Sequence, residues 1–276
     1  MLRQRALSAA VLVPPLVLAL LLGGPWIAAI VVVATGIAAV ETFRLLRAAG
    51  YPSFGMLGTV LALAIVLEAA VPELVEGSGL LLVAVGLLLV AVGAFALPDP
   101  RDGLATWVTT VFGALYVALL GFVIRLGVAA PALPAGAPLA DLGAERGWIL
   151  VLVLGVWAYD TGAYAVGRQF GRRRFLAHLS PSKTYAGLAG GLLACTAVTA
   201  ALMAGLGQPG QAGLVLGPLI GVAAQAGDLA ESMLKRAAGV KDSGSLIPGH
   251  GGILDRIDSF LFAAPAVMLY VVVAVR

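Results

Sequence analysis

Residues 228–259 read DLAESMLKRAAGVKDSGSLIPGHGGILDRIDS, and apolar segments long enough to cross a bilayer lie on both sides of them. A chain that is otherwise mostly Ala, Leu, Val and Gly places both signs of charge and a histidine in this one stretch. Lipid disfavours charge, so a charge density of this kind at a membrane edge indicates a function. The charged residues of the stretch are Asp228, Glu231, Lys235, Arg236, Lys241, Asp242, Asp255, Arg256 and Asp258.

The composition of the whole chain is typical of a protein whose solvent is lipid. Of its 276 residues, 61% are hydrophobic and only 11% are charged, whereas an ordinary soluble domain has about 25% charged residues. The basic residues lie in short connectors rather than on a basic face with aromatics, which argues against a nucleic-acid partner. Cys195 is the single cysteine, so an intramolecular disulfide and a multi-cysteine metal site are excluded.

The apolar runs predict an all-α polytopic membrane protein, because a helix satisfies its own backbone groups in lipid. One span needs about 20 mostly apolar residues. Arg3 and Arg5 before the first run also fit a signal peptide, but we favour an uncleaved span because no convincing small-x-small cleavage site precedes Pro25. About nine spans are predicted, at residues 6–23, 25–43, 56–72, 79–97, 104–126, 148–167, 186–206, 212–234 and 253–274.

The basic residues predict the orientation of these spans. With the N-terminus in the cytoplasm, fourteen of the 17 Lys and Arg residues fall on the cytoplasmic side. Arg125, Arg146 and Arg276 fall on the opposite side, where the C-terminus is then expected. The charged stretch 228–259 is therefore predicted at the cytoplasmic face.

The two parts of the chain differ in where their polar residues lie. Residues 1–147 hold about five spans with polar residues at the span ends, and we expect them to form a scaffold. Residues 148–276 hold about four spans with charges within or against them, and we expect this part to carry the chemistry. No convincing internal repeat is visible, although an inverted-repeat transporter would usually show one.

Asp160 lies late in the sixth predicted span, with Tyr164 one turn further on. A carboxylate at that depth needs a partner or water, so it is a candidate functional residue. The alternative is a carboxylate that serves helix packing and is satisfied by a nearby hydroxyl or arginine.

The connector after this span combines basic residues with the run Ser180–Thr184. Either Ser182 or Thr184 can cap the seventh span, and hydroxyls, a lysine and free amide groups at a helix start suit a phosphate. Lys183 lies in the turn itself, where its ammonium can reach a bound anion. For the basic run 172–174 we favour an anchor on anionic lipid over catalysis.

Asp228 shares one helix face with Glu231, Ser232 and Lys235, which follow it by three, four and seven positions. Two acids with a hydroxyl and a lysine can hold a divalent cation on their oxygens beside a phosphate. The alternative is a self-neutralising stripe at a helix end.

The run Pro248–Gly252 then breaks the chain just before the ninth span, which begins with Asp255, Arg256 and Asp258. Glycines let backbone amides approach a phosphate, and Mg²⁺ takes carboxylate and phosphate oxygens. Acidic pairs on two helix ends therefore indicate metal-assisted phosphate chemistry. For His250, phosphate binding or proton donation is as compatible with the pattern as a loop-ordering hydrogen bond. No Walker-type phosphate loop is present.

These residues resemble the signature of phosphatidate cytidylyltransferases, also called CDP-diacylglycerol synthases. The resemblance covers about 27 positions without a gap, and the preceding GDLAE (227–231), the segment 160–168 and the run 180–184 also fit. One departure is Ala186, where the family usually has a glutamate, which weakens the expected role of that run but not of Lys183. The matching blocks are SMLKR (232–236), KD (241–242), PGHGG (248–252) and DRID (255–258).

The resemblance implies that CTP and phosphatidic acid give CDP-diacylglycerol and pyrophosphate in a Mg²⁺-dependent reaction of phospholipid biosynthesis. It implies Asp228 and Asp255 as the principal metal positions, with a monovalent cation such as K⁺ beside Mg²⁺. It also implies a homodimer in the plasma (inner) membrane, with the active site facing the cytoplasm. A CTP-dependent lipid kinase and a cation-coupled transporter are the alternatives.

The candidate residues fall into three overlapping groups. As catalytic residues we expect Asp228, Asp255, Lys183, Lys235 and Arg256. As metal ligands we expect Asp228, Asp255, Glu231 and Asp258. As substrate-binding residues we expect Ser182, Thr184, Arg236, Lys241, Asp242, His250, Gly251, Gly252 and Asp160.

Overall fold

The computed structural model describes residues 14–71, 78–247, 249 and 251–275. Within these ranges the secondary structure is helical, and β-pairing is limited to two isolated bridges, Arg174 with Thr184 and Ile247 with Gly251. The fold class predicted from the sequence, an all-α polytopic membrane protein, is confirmed.

Nine helices follow the helical residues 14–22 in the described part of the chain. Leu119–Gly121 forms a 3₁₀ turn that joins the fourth helix to the fifth, and Val271–Val275 continues the last helix as a π-helix. The helices are α1 (Gly24–Ala48), α2 (Gly55–Ala70), α3 (Ser78–Phe95), α4 (Pro100–Ala118), α5 (Phe122–Val128), α6 (Ala144–Phe170), α7 (Tyr185–Gly205), α8 (Gly210–Ala237) and α9 (Leu254–Tyr270).

The predicted spans coincide with apolar helices wherever the structure describes them. In the part of the chain that the structure describes, six helical segments are long and apolar enough to cross a membrane, and α2 and α3 are shorter apolar helices. The first predicted span, 6–23, lies mostly outside the described residues. The six long segments are Gly24–Ala48, Pro100–Val128, Ala144–Phe170, Tyr185–Gly205, Gly210–Ala237 and Leu254–Val275.

Large apolar side chains point outward from several of these helices. Met56, Leu80, Leu193 and Val273 are each more than 70% exposed. Exposed apolar surface is unfavourable in water. Their exposure is consistent with helices that face lipid.

The chain forms two compact units. Unit 1 comprises the described residues up to Ile124 together with Met233–Ile257. Its helices pack around Phe43, which is 1% exposed. A Cβ atom at Gly113 would lie 2.6 Å from the Phe43 ring, and one at Gly58 would also overlap it. Small residues on α2 and α4 therefore make room for the phenyl ring of α1.

Unit 2 comprises Arg125–Ser232 and the described residues from Asp258 onward. Helices α7 and α8 cross closely, because a Cβ atom at Gly217 of α8 would clash with the backbone of Thr196 of α7. The buried thiol of Cys195 donates a hydrogen bond to the Gly217 carbonyl at 3.1 Å. Cys195 thus lies in the core of unit 2.

The boundaries of these units fall within α5, α8 and α9, whereas the sequence analysis divided the chain at residue 147. The segment Met233–Ile257 packs with the N-terminal helices. The compact units therefore do not follow the order of the chain. The division at residue 147 concerns which part of the chain carries the chemistry, and the assignment of the chemistry to residues 148–276 stays a prediction.

Candidate active site

Asp255 lies in the first turn of α9, within unit 1, and its carboxylate is the centre of a hydrogen-bonded cluster. Its Oδ2 atom accepts hydrogen bonds of 2.8 Å from the backbone amides of Ser243 and Gly252 and from Ser243 Oγ. Lys235 Nζ donates to Oδ1 at 2.6 Å. The Asp255 side chain is only 5% exposed. We call Glu41, Lys235, Ser243, Gly252 and Asp255 the Asp255 cluster.

Two glycines, Gly251 and Gly252, allow the loop before α9 to approach the Asp255 carboxylate. Gly251 has φ +80°, and a Cβ atom there would overlap Asp255 Oδ2. The Ile247 amide donates to the Gly251 carbonyl at 2.9 Å and closes the loop. The sequence pattern predicts that these glycines admit a phosphate. In this structure Gly251 makes room for the carboxylate of Asp255, and Gly252 makes room for the carboxylate of Glu41.

Glu41 of α1 is a member of the cluster that the sequence analysis missed. Its carboxylate accepts hydrogen bonds from the amides of Ile253 (3.1 Å) and Leu254 (2.8 Å), and Ser243 Oγ lies 3.1 Å from its Oε2 atom. Glu41 is 4% exposed. An acid inside an apolar run was the available signal, but Glu41 lies near the end of the predicted span 25–43, where polar residues are common.

A second cluster, the Asp228 cluster, lies within unit 2 and consists of Lys183, Asp228 and Ser232. Lys183 Nζ donates to Asp228 Oδ2 in an ion pair in which both side chains are about one quarter exposed or less. Ser232 Oγ donates to Asp228 Oδ1 at 3.4 Å. The predicted reach of Lys183 toward an anion is thus directed, in this structure, at a carboxylate of the protein.

Local structure fixes the position of Lys183. The Phe175 amide donates to the Lys183 carbonyl at 2.9 Å. Thr184 then caps α7, since its hydroxyl accepts from the Gly187 amide at 3.1 Å. Thr184, and not the exposed Ser182, is therefore the capping residue of the two that the sequence left open.

The remaining acids predicted as metal ligands lie in unit 2. Glu231 follows Asp228 on α8 and is 1% exposed. Asp258 of α9 packs its backbone against α8, because a Cβ atom at Gly227 would overlap the Asp258 carbonyl. Its Oδ1 atom accepts from the Ser259 amide at 2.7 Å.

Several predicted substrate-binding residues face outward. Asp160 is exposed on α6, where Arg168 donates to the Tyr164 hydroxyl at 2.8 Å. Arg236 donates to the Val240 carbonyl at 3.1 Å, and Lys241 and Asp242 also occupy exposed positions. Arg256, which the sequence predicts as a catalytic residue, is exposed as well. Pro248 and His250 lie outside the described residues, so their roles stay predictions.

Taken separately, each of the two clusters offers a carboxylate that suits a magnesium ion, which would complete its coordination with substrate oxygens. No group of three or more His, Cys, Asp or Glu side chains in the described residues is close enough to hold a metal by itself. Mg²⁺ usually binds through one or two carboxylates together with water and substrate phosphates, and does not need such a cage. An ammonium group already lies against Asp228 and another against Asp255, so both carboxylates lie where a cation is stabilised.

The chain matches the cytidylyltransferase family over residues 3–274. It belongs to that family. This membership confirms the family that the signature at 227–258 indicated, and it confirms the expected enzyme class, a nucleotidyltransferase.

Curated relatives carry more specific names. A phosphatidate cytidylyltransferase of Synechocystis sp. is 36% identical over 98% of this chain and 96% of its own length. One from Mycobacterium bovis is 34% identical over 87% of this chain and 78% of its own length. Phosphatidate cytidylyltransferase 4, chloroplastic, of Arabidopsis thaliana is 45% identical over 56% of this chain, and the match spans 43% of the plant protein.

Proposed function

We propose that the protein is an integral-membrane enzyme that makes CDP-diacylglycerol and pyrophosphate from CTP and phosphatidic acid. The observation that carries the proposal is the similarity, along almost its whole length, to a protein named phosphatidate cytidylyltransferase. The two lysine–aspartate pairs support it, because both lie in the segments that the sequence signature covers. The reaction would serve phospholipid biosynthesis.

The reaction requires little activation of its nucleophile. An oxygen of the phosphatidate phosphate attacks the α-phosphorus of CTP, and a new P–O bond forms. The bond from the α-phosphorus to the oxygen that bridges it to the β-phosphorus breaks, and pyrophosphate leaves with that electron pair. Positioning and charge neutralisation are then the main tasks of the protein.

The acids and lysines of the two clusters divide these tasks. The carboxylates of Asp228, Asp255, Glu231 and Asp258 would hold Mg²⁺, with a monovalent cation such as K⁺ beside it. When bound, Mg²⁺ supplies Lewis-acid polarisation of phosphoryl oxygens. Lys183 and Lys235 neutralise Asp228 and Asp255 when no other cation is near. With a cation on these carboxylates, the ammonium groups of Lys183 and Lys235 would each be available to a phosphate oxygen of a substrate.

The location of the chemistry follows from its substrates. A nucleotide comes from water and phosphatidic acid from the bilayer, so we place the active site at the membrane surface, on the cytoplasmic face. The bias of basic residues toward that side supports this orientation. We also propose that the enzyme works as a homodimer in the plasma (inner) membrane.

The direct test incubates purified protein with CTP, phosphatidic acid and Mg²⁺ and measures CDP-diacylglycerol and pyrophosphate. We expect both products in equal amounts from the wild-type protein and none above background from Asp255→Ala. Asp141→Ala, which removes an exposed carboxylate in the connector before α6, is the matched control and should retain full activity.

The products also separate the alternatives. Release of CDP with transfer of the γ-phosphate to the lipid would identify a CTP-dependent lipid kinase. Near-normal turnover by folded Asp255→Ala would refute the proposed site. Ion uptake into sealed vesicles without nucleotide, and without any CDP-lipid, would favour a cation-coupled transporter.

A further inference from the structure

The acid that holds the loop before α9 comes from the other end of the chain. Glu41 lies on α1, 212 residues before Ile253 and 213 before Leu254, and both of these residues donate backbone hydrogen bonds to it. We infer that Glu41 is a positioning residue for Asp255. Its side chain comes from α1, caps the N-terminus of α9 and fixes the direction of the Asp255 carboxylate. This inference rests on the proposed role of Asp255 as a metal ligand.

Helix α9 needs such a cap. The first amide groups of a helix have no carbonyl partner within the helix, and a carboxylate near the N-terminus is stabilised by the helix dipole. α9 begins at Leu254. Glu41 accepts one hydrogen bond from the Leu254 amide and another from the amide of Ile253, the residue just before the helix. A side chain of α1 thus performs the task that a residue just before the helix usually performs.

The burial of Glu41 argues that this arrangement is specific. A carboxylate that is 4% exposed loses most of its hydration, which is unfavourable unless hydrogen bonds replace the lost water. Hydrogen bonds to an ionised acceptor are about twice as strong as those between neutral groups. The amides of Ile253 and Leu254 supply such bonds to Glu41.

The link from Glu41 to Asp255 passes through Ser243 and Gly252. Ser243 Oγ lies 3.1 Å from Glu41 Oε2 and 2.8 Å from Asp255 Oδ2, so its single hydroxyl proton can be donated to either carboxylate. A Cβ atom at Gly252 would overlap both carboxylate oxygens of Glu41, while the Gly252 amide donates to Asp255. The same short backbone segment therefore touches both acids.

This geometry predicts that Glu41 variants bind metal more weakly even when they fold. Removing a residue that orients a metal ligand typically costs about 10–100-fold in metal affinity or activity. The test measures Mn²⁺ binding to the full-length protein in detergent by electron paramagnetic resonance, and the Mg²⁺ dependence of CDP-lipid synthesis. It compares wild type with Glu41→Ala, Glu41→Gln and Glu68→Gln. Glu68 lies on α2 of the same unit and is the matched control.

We expect Glu41→Ala to raise the Mn²⁺ dissociation constant and the Mg²⁺ concentration for half-maximal rate by about 10–100-fold. Glu41→Gln should show a smaller rise, because its amide oxygen can still accept one backbone hydrogen bond. Glu68→Gln should match the wild type. Should Glu41→Ala fail to fold, Glu41→Gln and Ser243→Ala decide the question.

Unchanged metal affinity in folded Glu41→Gln and Ser243→Ala would overturn the inference. It would also be overturned if the activity lost by these variants were fully explained by a smaller fraction of folded protein. The titration of protein-bound Mn²⁺ is run without and with CTP and always without phosphatidic acid, because phosphate oxygens complete the coordination of the metal. A wild-type protein that binds no Mn²⁺ under either condition would overturn the inference as well, because Asp255 would then hold no metal. Failure of the wild type to make CDP-lipid would instead refute the proposed function, and the titration, which measures binding and not turnover, would still decide the role of Glu41.

Discussion

At the scale of single residues, a lysine neutralises each of the two aspartates on which the proposed chemistry depends. The Lys183 ammonium pairs with Asp228, and the Lys235 ammonium pairs with Asp255 at 2.6 Å. Neither pair is well exposed to water, so solvent screens the charges less than it would at an open surface. A change in either lysine therefore acts directly on a carboxylate of the proposed site.

Lys183→Met is expected to lower kcat by about 10²–10³-fold, since loss of one charged donor at a reacting phosphoryl group has a cost of that order. Lys183→Arg keeps the charge but not the compact ammonium, and we expect an intermediate rate. Arg101→Met, which removes an exposed positive charge at the start of α4, should leave the rate unchanged. Pyrophosphate release measures all three. A wild-type rate in folded Lys183→Met would contradict the role assigned to this lysine.

The sequence was sufficient to nominate most of these residues, because charge is costly near lipid and therefore conspicuous. Asp228, Asp255, Lys183 and Lys235 were all candidates on that ground, and the structure pairs them. The sequence was not sufficient to identify which residues hydrogen-bond to these side chains. Glu41 lies more than 200 positions before the residues whose backbone amides donate hydrogen bonds to it. Nothing in a single sequence indicates which distant segment a buried acid will contact.

At the scale of elements, the loop before α9 requires glycine at a specific position. Gly251 has φ +80°, and a Cβ atom there would overlap Asp255 Oδ2. Gly239 has φ +70°, but nothing lies within 4 Å of its position. The two glycines thus share the backbone conformation and differ in what surrounds them.

We expect Gly251→Ala and Gly239→Ala each to lower the free energy of unfolding by about 1–3 kcal/mol, the usual cost of a left-handed backbone at a non-glycine residue. Gly251→Ala alone should also lose most activity, because its methyl group displaces the Asp255 carboxylate. Thermal unfolding in detergent and CDP-lipid synthesis measure the two effects. Equal activity losses in both variants would show that backbone strain, and not the position of Asp255, is responsible.

The elements themselves were largely predictable, since length and apolar composition are enough to identify a membrane helix. Their ends were less predictable. Helix α6 runs from Ala144 to Phe170, beyond the predicted span 148–167 at both ends. The helix continues through polar residues such as Glu145 and Arg168, which a search for apolar runs leaves out.

At the scale of the whole molecule, the packing of the chain could not be derived from the order of its spans. The segment Met233–Ile257 belongs to unit 1, together with the N-terminal helices. Through Glu41, the first part of the chain contributes to the surroundings of Asp255. Which helix packs on which depends on shape, such as the space that Gly113 leaves for Phe43, and composition does not encode this.

The orientation of the molecule gives the last prediction, which uses its single cysteine. Cys195 is buried and free, so a membrane-impermeant maleimide should not label the wild-type protein in cells. Ala135→Cys places an exposed thiol in the connector between α5 and α6, and Ser245→Cys places one in the loop before α9. With the basic residues on the cytoplasmic side, Ala135→Cys should be labelled in intact cells and Ser245→Cys only after permeabilisation. The reverse pattern would place the Asp255 cluster on the outer face, where CTP is absent, and would therefore contradict both the orientation and the proposed reaction.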